Sequence, residues 1–420
     1  MPWKDTRVLD ERMKFVVAYL EGESSLSEVC RHFGVSRSTG RKWRHRYREY
    51  GPAGLCDRSR APLKHPNATG PDVVSLLIRA KLQHPTWGPR KLTPWLKRRH
   101  PEAELPAPST TGDILRRHGL VRPRKRVRRT TPWTRPFAEC AAPNETWCID
   151  FKGWFRTQDG IRCDPLTISD AHSRQLLCCE GMRSQNGVAV RTIMKRVFRE
   201  YGLPATIRSD NGTPFASTAL GGLSRLSIWW IKLGIVPERI APGHPEQNGR
   251  HERMHATLKS EAINPPRATI RAQQKEFDRF RKEYNEERPH ESHAQNPPAS
   301  VYKPSERNYP SRISEIEYGP ETTVRRVRTN GEIKWKGELV YLSEALVGEP
   351  VGLIPVSDRQ WVISFGPMKI CVIDDETHQI IRIPPEWKPR VVTMSPAAQG
   401  CYVPAAPRQV AAWLCLTHTA

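Results

Sequence analysis

Residues 145–155 read ETWCIDFKGWF, and residues 206–215 read TIRSDNGTPF. In the first stretch the apolar run Trp147-Cys148-Ile149 ends on Asp150. In the second a short run ends on Asp210 and passes at once into the turn-forming Asn211 and Gly212. Each stretch reads as a strand that stops on a carboxylate. A third acid, Glu252, stands on an expected helix within HPEQNGRHERMHATLK, residues 244–259. Two strand-end aspartates and a helical glutamate make a donor set for divalent cations, because hard Mg²⁺ prefers carboxylate oxygens. A pair of such ions suits the cutting and joining of phosphodiesters.

The surrounding pattern is α/β. The strand through Asp150 leads to a turn at Thr157-Gln158-Asp159-Gly160, a second strand follows in CDPLTIS, and RQLLCCEGM supplies a third. Residues 187–201 read as a helix, 205–209 as a short strand, and 229–233 as part of another helix. Three antiparallel strands followed by alternating helix and strand match a ribonuclease-H-like core with a mixed sheet. Asp170, in SDAHSR, is conspicuous, but a connection between strands explains it better than chemistry does.

Outward from this core the chain turns basic and helical. Residues 11–20 carry an apolar stripe, and Ser25 to Glu28 spell a capping box. In VCRHFGVSRSTGRKWRHRYREY, residues 29–50, Gly34 breaks one short helix and Ser36 caps the next. Short helix, glycine turn and basic helix are the helix-turn-helix pattern, which offers Arg37, Ser38, Thr39, Arg41 and Lys42 to a major groove. A second helical, helix-turn-helix-like unit is expected at 68–121, with Ser109 capping its last helix and Gly119 ending it. Between this unit and the core, Arg124, Lys125, Arg126, Arg128 and Arg129 form an extended basic linker with no acid among them, suited to tracking phosphates. Beyond Tyr302 short β runs return, with a hairpin signal at Asn330-Gly331, and suggest a small β-barrel. The tail is rich in Pro and Ala.

Composition agrees with a polyanionic partner. The 420 residues hold 67 Lys+Arg against 44 Asp+Glu, a formal net charge of +23. No apolar run is long enough to span a bilayer, and the charged N-terminus does not read as a signal peptide, so a cytoplasmic protein with no membrane partner is expected. The ten cysteines include no CxxC pair and no zinc-finger spacing, so reduced, mostly buried thiols are expected.

The blocks ETWCIDFKGWF, PLTISDAHSRQLL, IRSDNGTPF, APGHPEQNGRHERMHATLK and YNEERPHESHAQNPPASVY resemble the integrase-core (DDE) transposases of bacterial insertion sequences, relatives of retroviral integrases. In that family about 35 residues separate the last two acids. Here 35 residues lie between Asp210 and Glu246, and 41 between Asp210 and Glu252. Counting alone selects Glu246, but the family's local pattern P-x-x-Q/N-G-x-x-E aligns Pro245, Asn248 and Gly249 so that the acid falls on Glu252. Helix geometry agrees: Glu252, His255 and Lys259 share a face, beside an apolar stripe of Met254, Leu258 and Ala262. The six extra residues fit an insertion within FASTALGGLSRLS, residues 215–227.

The resemblance implies Asp150, Asp210 and Glu252 as ligands of Mg²⁺ or Mn²⁺, two ions in all. It implies DNA contacts from Gln247 and Asn248, and places His255 and Lys259 near phosphates; Tyr284, Asn285, Arg288, Pro289 and His290 would pack a helix end. The expected organisation is a helix-turn-helix domain at 1–60, a second at 68–121, a basic linker at 122–138, a ribonuclease-H-like integrase core at 139–305, a small β-barrel at 306–385 and an unassigned tail at 386–420. The expected activity is transposition: binding terminal inverted repeats, nicking the element ends and joining the 3′ hydroxyl to target DNA, by a dimer or larger multimer assembled on DNA. The alternatives are a helix-turn-helix regulator with an inactive ribonuclease-H-like domain and a nuclease without joining activity.

Overall fold

The computed structural model describes residues 7–59, 68–121, 140–217, 219–240, 249–381 and 383. The described residues up to Gly70 lie in one compact unit and those from Pro71 onward in a second.

The first unit packs three helices, α1 Val8–Leu20, α2 Leu26–His32 and α3 Arg37–Tyr50. Ser25 and Glu28 form the expected capping box, and the Ser36 side chain accepts from the Thr39 amide at 3.2 Å. Gly34 turns the chain between α2 and α3 at φ +65°, a conformation that a Cβ disfavours. Where α3 crosses the other two helices stands Gly40; a Cβ there would fall on Cys30 Sγ and reach Phe15. Phe15, Val16, Val29, Cys30, Trp43 and Leu55 form the core.

The second unit opens with α4 Pro71–Gln83, α5 Pro89–Arg99 and α6 Pro108–Arg117, which bury Leu77, Trp87, Leu92, Trp95, Leu96, Ile114 and Leu115. Ser109 does not cap α6. The helix begins two residues earlier because Pro108 presets its first φ, and Ala107 is the N-cap.

The central sheet follows: β1 Thr146–Phe151, β2 Phe155–Arg156, β3 Arg162–Asp170, β4 Leu176–Met182, then α7 Gly187–Tyr201, β5 Thr206–Ser209, α8 Arg225–Lys232, β6 Val236–Arg239, α9 Gly249–Leu258 and α10 Ile270–Glu286. β3 pairs antiparallel with β4 and with β1, while β5 runs parallel to β1 and β6 parallel to β5. The sheet is therefore mixed, as the strand pattern predicts. Sequence reading missed β6, whose four residues VPER carry a proline and two charges. It is held by pairing and by an ion pair of Arg208 with Glu238 at 2.5 Å, both largely buried.

α10 crosses the β4 edge, where the Asn285 side chain donates to Leu176 O at 2.9 Å and accepts from Leu176 N at 2.8 Å. Its far side receives α4 to α6: His84 Nδ1 meets Glu283 at 2.9 Å, Trp95 donates to Glu287 at 3.2 Å and Arg98 to Gln295 O at 2.7 Å. Arg288 donates to both oxygens of Glu261, at 2.8 and 2.7 Å. Tyr284, Asn285 and Arg288 thus serve packing, as the sequence suggests.

The C-terminal module holds β7 Thr323–Arg326, β8 Glu332–Trp335, β9 Glu338–Tyr341, β10 Pro350–Pro355, β11 Gln360–Phe365, β12 Met368–Asp374 and β13 Ile380–Ile381. Two readings are corrected here. The hairpin turn is Lys336-Gly337, both at positive φ, joining β8 to β9; Asn330-Gly331 only leads into β8, since β7 pairs with β10. Among the described residues the strands form a five-stranded sheet, β13-β12-β11-β10-β7, beside the two-stranded hairpin, and no pairing closes a barrel.

The stretch suspected of insertion has a structural task. Leu220–Gly222 makes one tight turn, with Gly221 at φ +67°, where a Cβ would lie 3.2 Å from Ile370 Cα. Leu223, Ile228 and Ile231 then share one apolar core with Val351, Phe365 and Ile370 of the C-terminal sheet. The opposite face of α8, Leu226, Trp229 and Trp230, belongs to the central core. Lys232 pairs with Glu349 at 2.8 Å. Residues 220–231 therefore join the central sheet to the C-terminal module.

Candidate active site

β1 and β5 are neighbours and parallel, with Cys148 level with Arg208. Asp150 and Asp210 each lie two residues further along, so both leave the same end of the sheet, where strand C-termini of α/β sheets commonly present ligand-binding groups. Asp210 caps its own turn: the Gly212 amide donates to Oδ1 at 3.2 Å, and the Asn211 side chain donates to Ile240 O at 2.9 Å. A Cβ on residue 212 would approach the Asp210 carboxylate at 3.0 Å, a tight contact. Asp150 and Asp210 are half-buried, while Glu252 is exposed on α9.

The Asp150 carboxyl feels both other acids. Burial, then the charge of Asp210 and more weakly that of Glu252, pushes the Asp150 carboxyl up to about 7. This donor set of carboxylate oxygens, from two strands and a helix, is the kind that Mg²⁺ or Mn²⁺ takes.

α9 departs from the expected pattern in one respect. Met254, Leu258 and Ala262 are buried, and Glu252 and Lys259 are exposed, but His255 is only 6 % exposed and does not share their face. It faces the sheet with His251, one turn earlier. Thr167 on β3 lies 2.7 Å from Nε2 of each ring, and Ser169 lies 2.9 Å from His251 Nδ1. The Thr167 hydroxyl also donates to Asp150 O at 3.1 Å. His255 Nδ1 stands 3.9 Å from Asp150 Oδ2. Burial lowers both imidazoles, His251 to about 3 and His255 to about 2, so both are neutral near pH 7. His255 is thus a buried ring bonded to Thr167, not one on the exposed face that carries Glu252 and Lys259. Sequence reading missed His251 altogether, although the i, i+4 pair in HERMH was visible.

Other residues fall as follows. Arg37, Ser38, Arg41 and Lys42 are exposed on α3 and Thr39 is half-buried. The hydroxyls of Ser38 and Thr39 meet Ser36 Oγ at 2.8 and 2.9 Å, and Lys42 lies over the Trp43 ring at 4.8 Å. Arg124, Lys125, Arg126, Arg128, Arg129, Gln247 and Asn248, and the rival acid Glu246, lie outside the described residues. Asp170 is a structural tie: its carboxylate accepts from Asn144 N at 2.7 Å, Ser173 N at 2.7 Å and Ser173 Oγ at 2.6 Å.

Comparison with known proteins follows these divisions. The integrase core domain family matches residues 141–245 and 233–298. A helix-turn-helix domain family matches 11–62, and a homeodomain-like domain family matches 39–115. The insertion element IS476 uncharacterized 39.2 kDa protein of Xanthomonas euvesicatoria is 28% identical over 180 residues, 43% of this chain and 50% of that protein. The insertion element IS407 uncharacterized 31.7 kDa protein of Burkholderia multivorans is 30% identical over 179 residues, 42% of this chain and 62% of that protein. The matches thus span between half and two thirds of the length of these two relatives. Among solved structures, the HTLV-2 integrase catalytic core domain in complex with magnesium is 12% identical with a TM-score of 0.32, covering 39% of this chain and 99% of that one. Residues 141–298 thus match the integrase core domain, and helix-turn-helix and homeodomain-like matches at 11–62 and 39–115 precede it.

Proposed function

We propose that this chain is a DNA transposase whose active site is Asp150, Asp210 and Glu252. The carrying observation is the parallel register of β1 and β5, which sets Asp150 and Asp210 at one sheet end with the charge of Glu252 within reach. These carboxylates would hold Mg²⁺ or Mn²⁺, two ions that when bound activate the nucleophile and stabilise the leaving oxygen. Asp150 and Asp210 are fixed by strand and turn, so little reorganisation accompanies binding. Glu252, exposed on α9, reaches the site from the solvent side.

Two in-line displacements follow. In the first, water attacks a phosphodiester at the element end; one P–O bond forms, the bond to the 3′ oxygen breaks, and a proton passes to that oxygen. In the second, the freed 3′ hydroxyl attacks a target phosphodiester: a P–O bond forms to it, the bond to the target strand's 3′ oxygen breaks, and the attacking hydroxyl's proton passes to that oxygen. Arg37, Ser38, Thr39, Arg41 and Lys42 would read the terminal inverted repeats, and Arg124, Lys125, Arg126, Arg128 and Arg129 would follow the backbone. Gln247, Asn248 and Lys259 would touch DNA beside the acids. Bringing two ends together needs at least two protomers, so a DNA-assembled dimer or larger multimer belongs to the reading.

The test incubates purified protein and Mg²⁺ with DNA bearing the candidate element ends. Nicking and joining by the wild type, both lost in Asp210→Asn with DNA binding retained, are the expected results. DNA binding with no nicking or joining by the wild type would favour a regulator with an inactive core; nicking without joining would favour a nuclease.

A further inference from the structure

The Thr167 hydroxyl has three polar neighbours and one proton. Asp150 O is a carbonyl and can only accept, so the proton goes there, across 3.1 Å. Both imidazoles must then donate to Thr167 through Nε2–H, each across 2.7 Å. His251 Nδ1, now the acceptor nitrogen, is met by the Ser169 hydroxyl at 2.9 Å. His251 is thereby saturated at both nitrogens. His255 differs: its Nδ1 carries the ring's lone pair and lies 3.9 Å from Asp150 Oδ2.

A lone pair and a carboxylate oxygen gain nothing by facing each other. Two ligands of one ion, each about 2.1 Å from it, stand between about 3.0 Å apart at right angles and about 4.2 Å apart in line. The observed 3.9 Å falls inside that span. Ligand atoms of Asp150, His251 and His255 lie within 4.8 Å of one another.

We propose that His255 Nδ1 is a nitrogen ligand to a divalent ion shared with Asp150, and that Thr167 and His251 are positioning residues that hold its tautomer. The inference rests on the reading of Asp150 as a metal ligand. Its chemical consequence is selectivity. An imidazole nitrogen suits Mn²⁺ and later transition ions better than Mg²⁺, which favours all-oxygen coordination. One position of the site therefore prefers Mn²⁺ over Mg²⁺.

The experiment uses the full chain and Mn²⁺ alone, read by pulsed electron paramagnetic resonance and by titration. The wild type should show electron-spin-echo modulation from a directly bound ¹⁴N. His255→Gln, whose amide can still donate to Thr167, should abolish the modulation and weaken Mn²⁺ binding about tenfold, with Mg²⁺ binding changed less than about threefold. A wild-type spectrum without ¹⁴N modulation would overturn the role of His255 even where a variant fails to fold. Mn²⁺ bound with loss on Asp150→Asn but without ¹⁴N modulation would overturn the role of His255 and leave the carboxylate site standing. Mn²⁺ binding indifferent to Asp150→Asn and Asp210→Asn would overturn both readings.

Discussion

Leu223→Ala is the most direct probe of the joint formed by residues 220–231. Leu223 is 1 % exposed and packs in one core with Ile228 and Ile231 of α8 and Val351, Phe365 and Ile370 of the C-terminal sheet. The change removes three carbons at roughly 0.8 kcal/mol each, and the cavity left behind raises the cost to about 3 to 4 kcal/mol. Because this core spans both sides of the joint, the loss should surface as easier opening of β10, β11 and β12. Amide hydrogen exchange followed by mass spectrometry should show those strands exchanging roughly 100-fold faster, since each 1.4 kcal/mol is a decade. Gly221→Ala should act in the same direction with about 1 to 2 kcal/mol, from its left-handed φ of +67° and the approach to Ile370. Acceleration below threefold in β10 to β12 would refute the joint and leave the insertion as a surface loop.

Two further expectations concern charge. Arg41→Ala with Lys42→Ala should lower the slope of log affinity against log salt by about 1 to 2, read by fluorescence anisotropy on element-end DNA; an unchanged slope would remove α3 from the phosphate contacts. The docking of α4 to α6 on α10 should be acid-sensitive, because the His84 hydrogen bond holds the Glu283 carboxyl below its ordinary 4.5. A carboxylate lowered in the folded state contributes stability above its unfolded value and loses it as pH falls through the folded one. Tryptophan fluorescence should thus report loosening below about pH 4.5, and Glu283→Gln should flatten that response.

Much of the site was legible because local signals and tertiary placement agree. The run Trp147-Cys148-Ile149 is buried on β1, and the Gly212 amide donates to Asp210 where the chain turns. The helix at residues 187–201 coincides with α7, and Ser25 and Ser36 cap as their sequences suggest. Readings went astray where two local signals compete or a third element intervenes. Pro108 overrides Ser109 as the start of α6. Lys336-Gly337, lacking the asparagine usual in such turns, forms the hairpin that Asn330-Gly331 advertised. On α9 a helical wheel places His255 with Glu252, yet the polar threonine and serine of β3 draw both histidines inward and satisfy them there.

By itself the sequence determined the order of helical, α/β and β segments, the basic charge, and the acids that end β1 and β5, since these follow from short-range apolar runs, caps and turn residues. Only the tertiary structure decided what those acids face. Strand register brought Asp150 level with Asp210, packing of α9 on β3 set His255 beside Asp150, and a tight turn carrying Gly221 tied the central sheet to the C-terminal module. Each depends on contacts between residues far apart in the chain, and no local pattern carries such information.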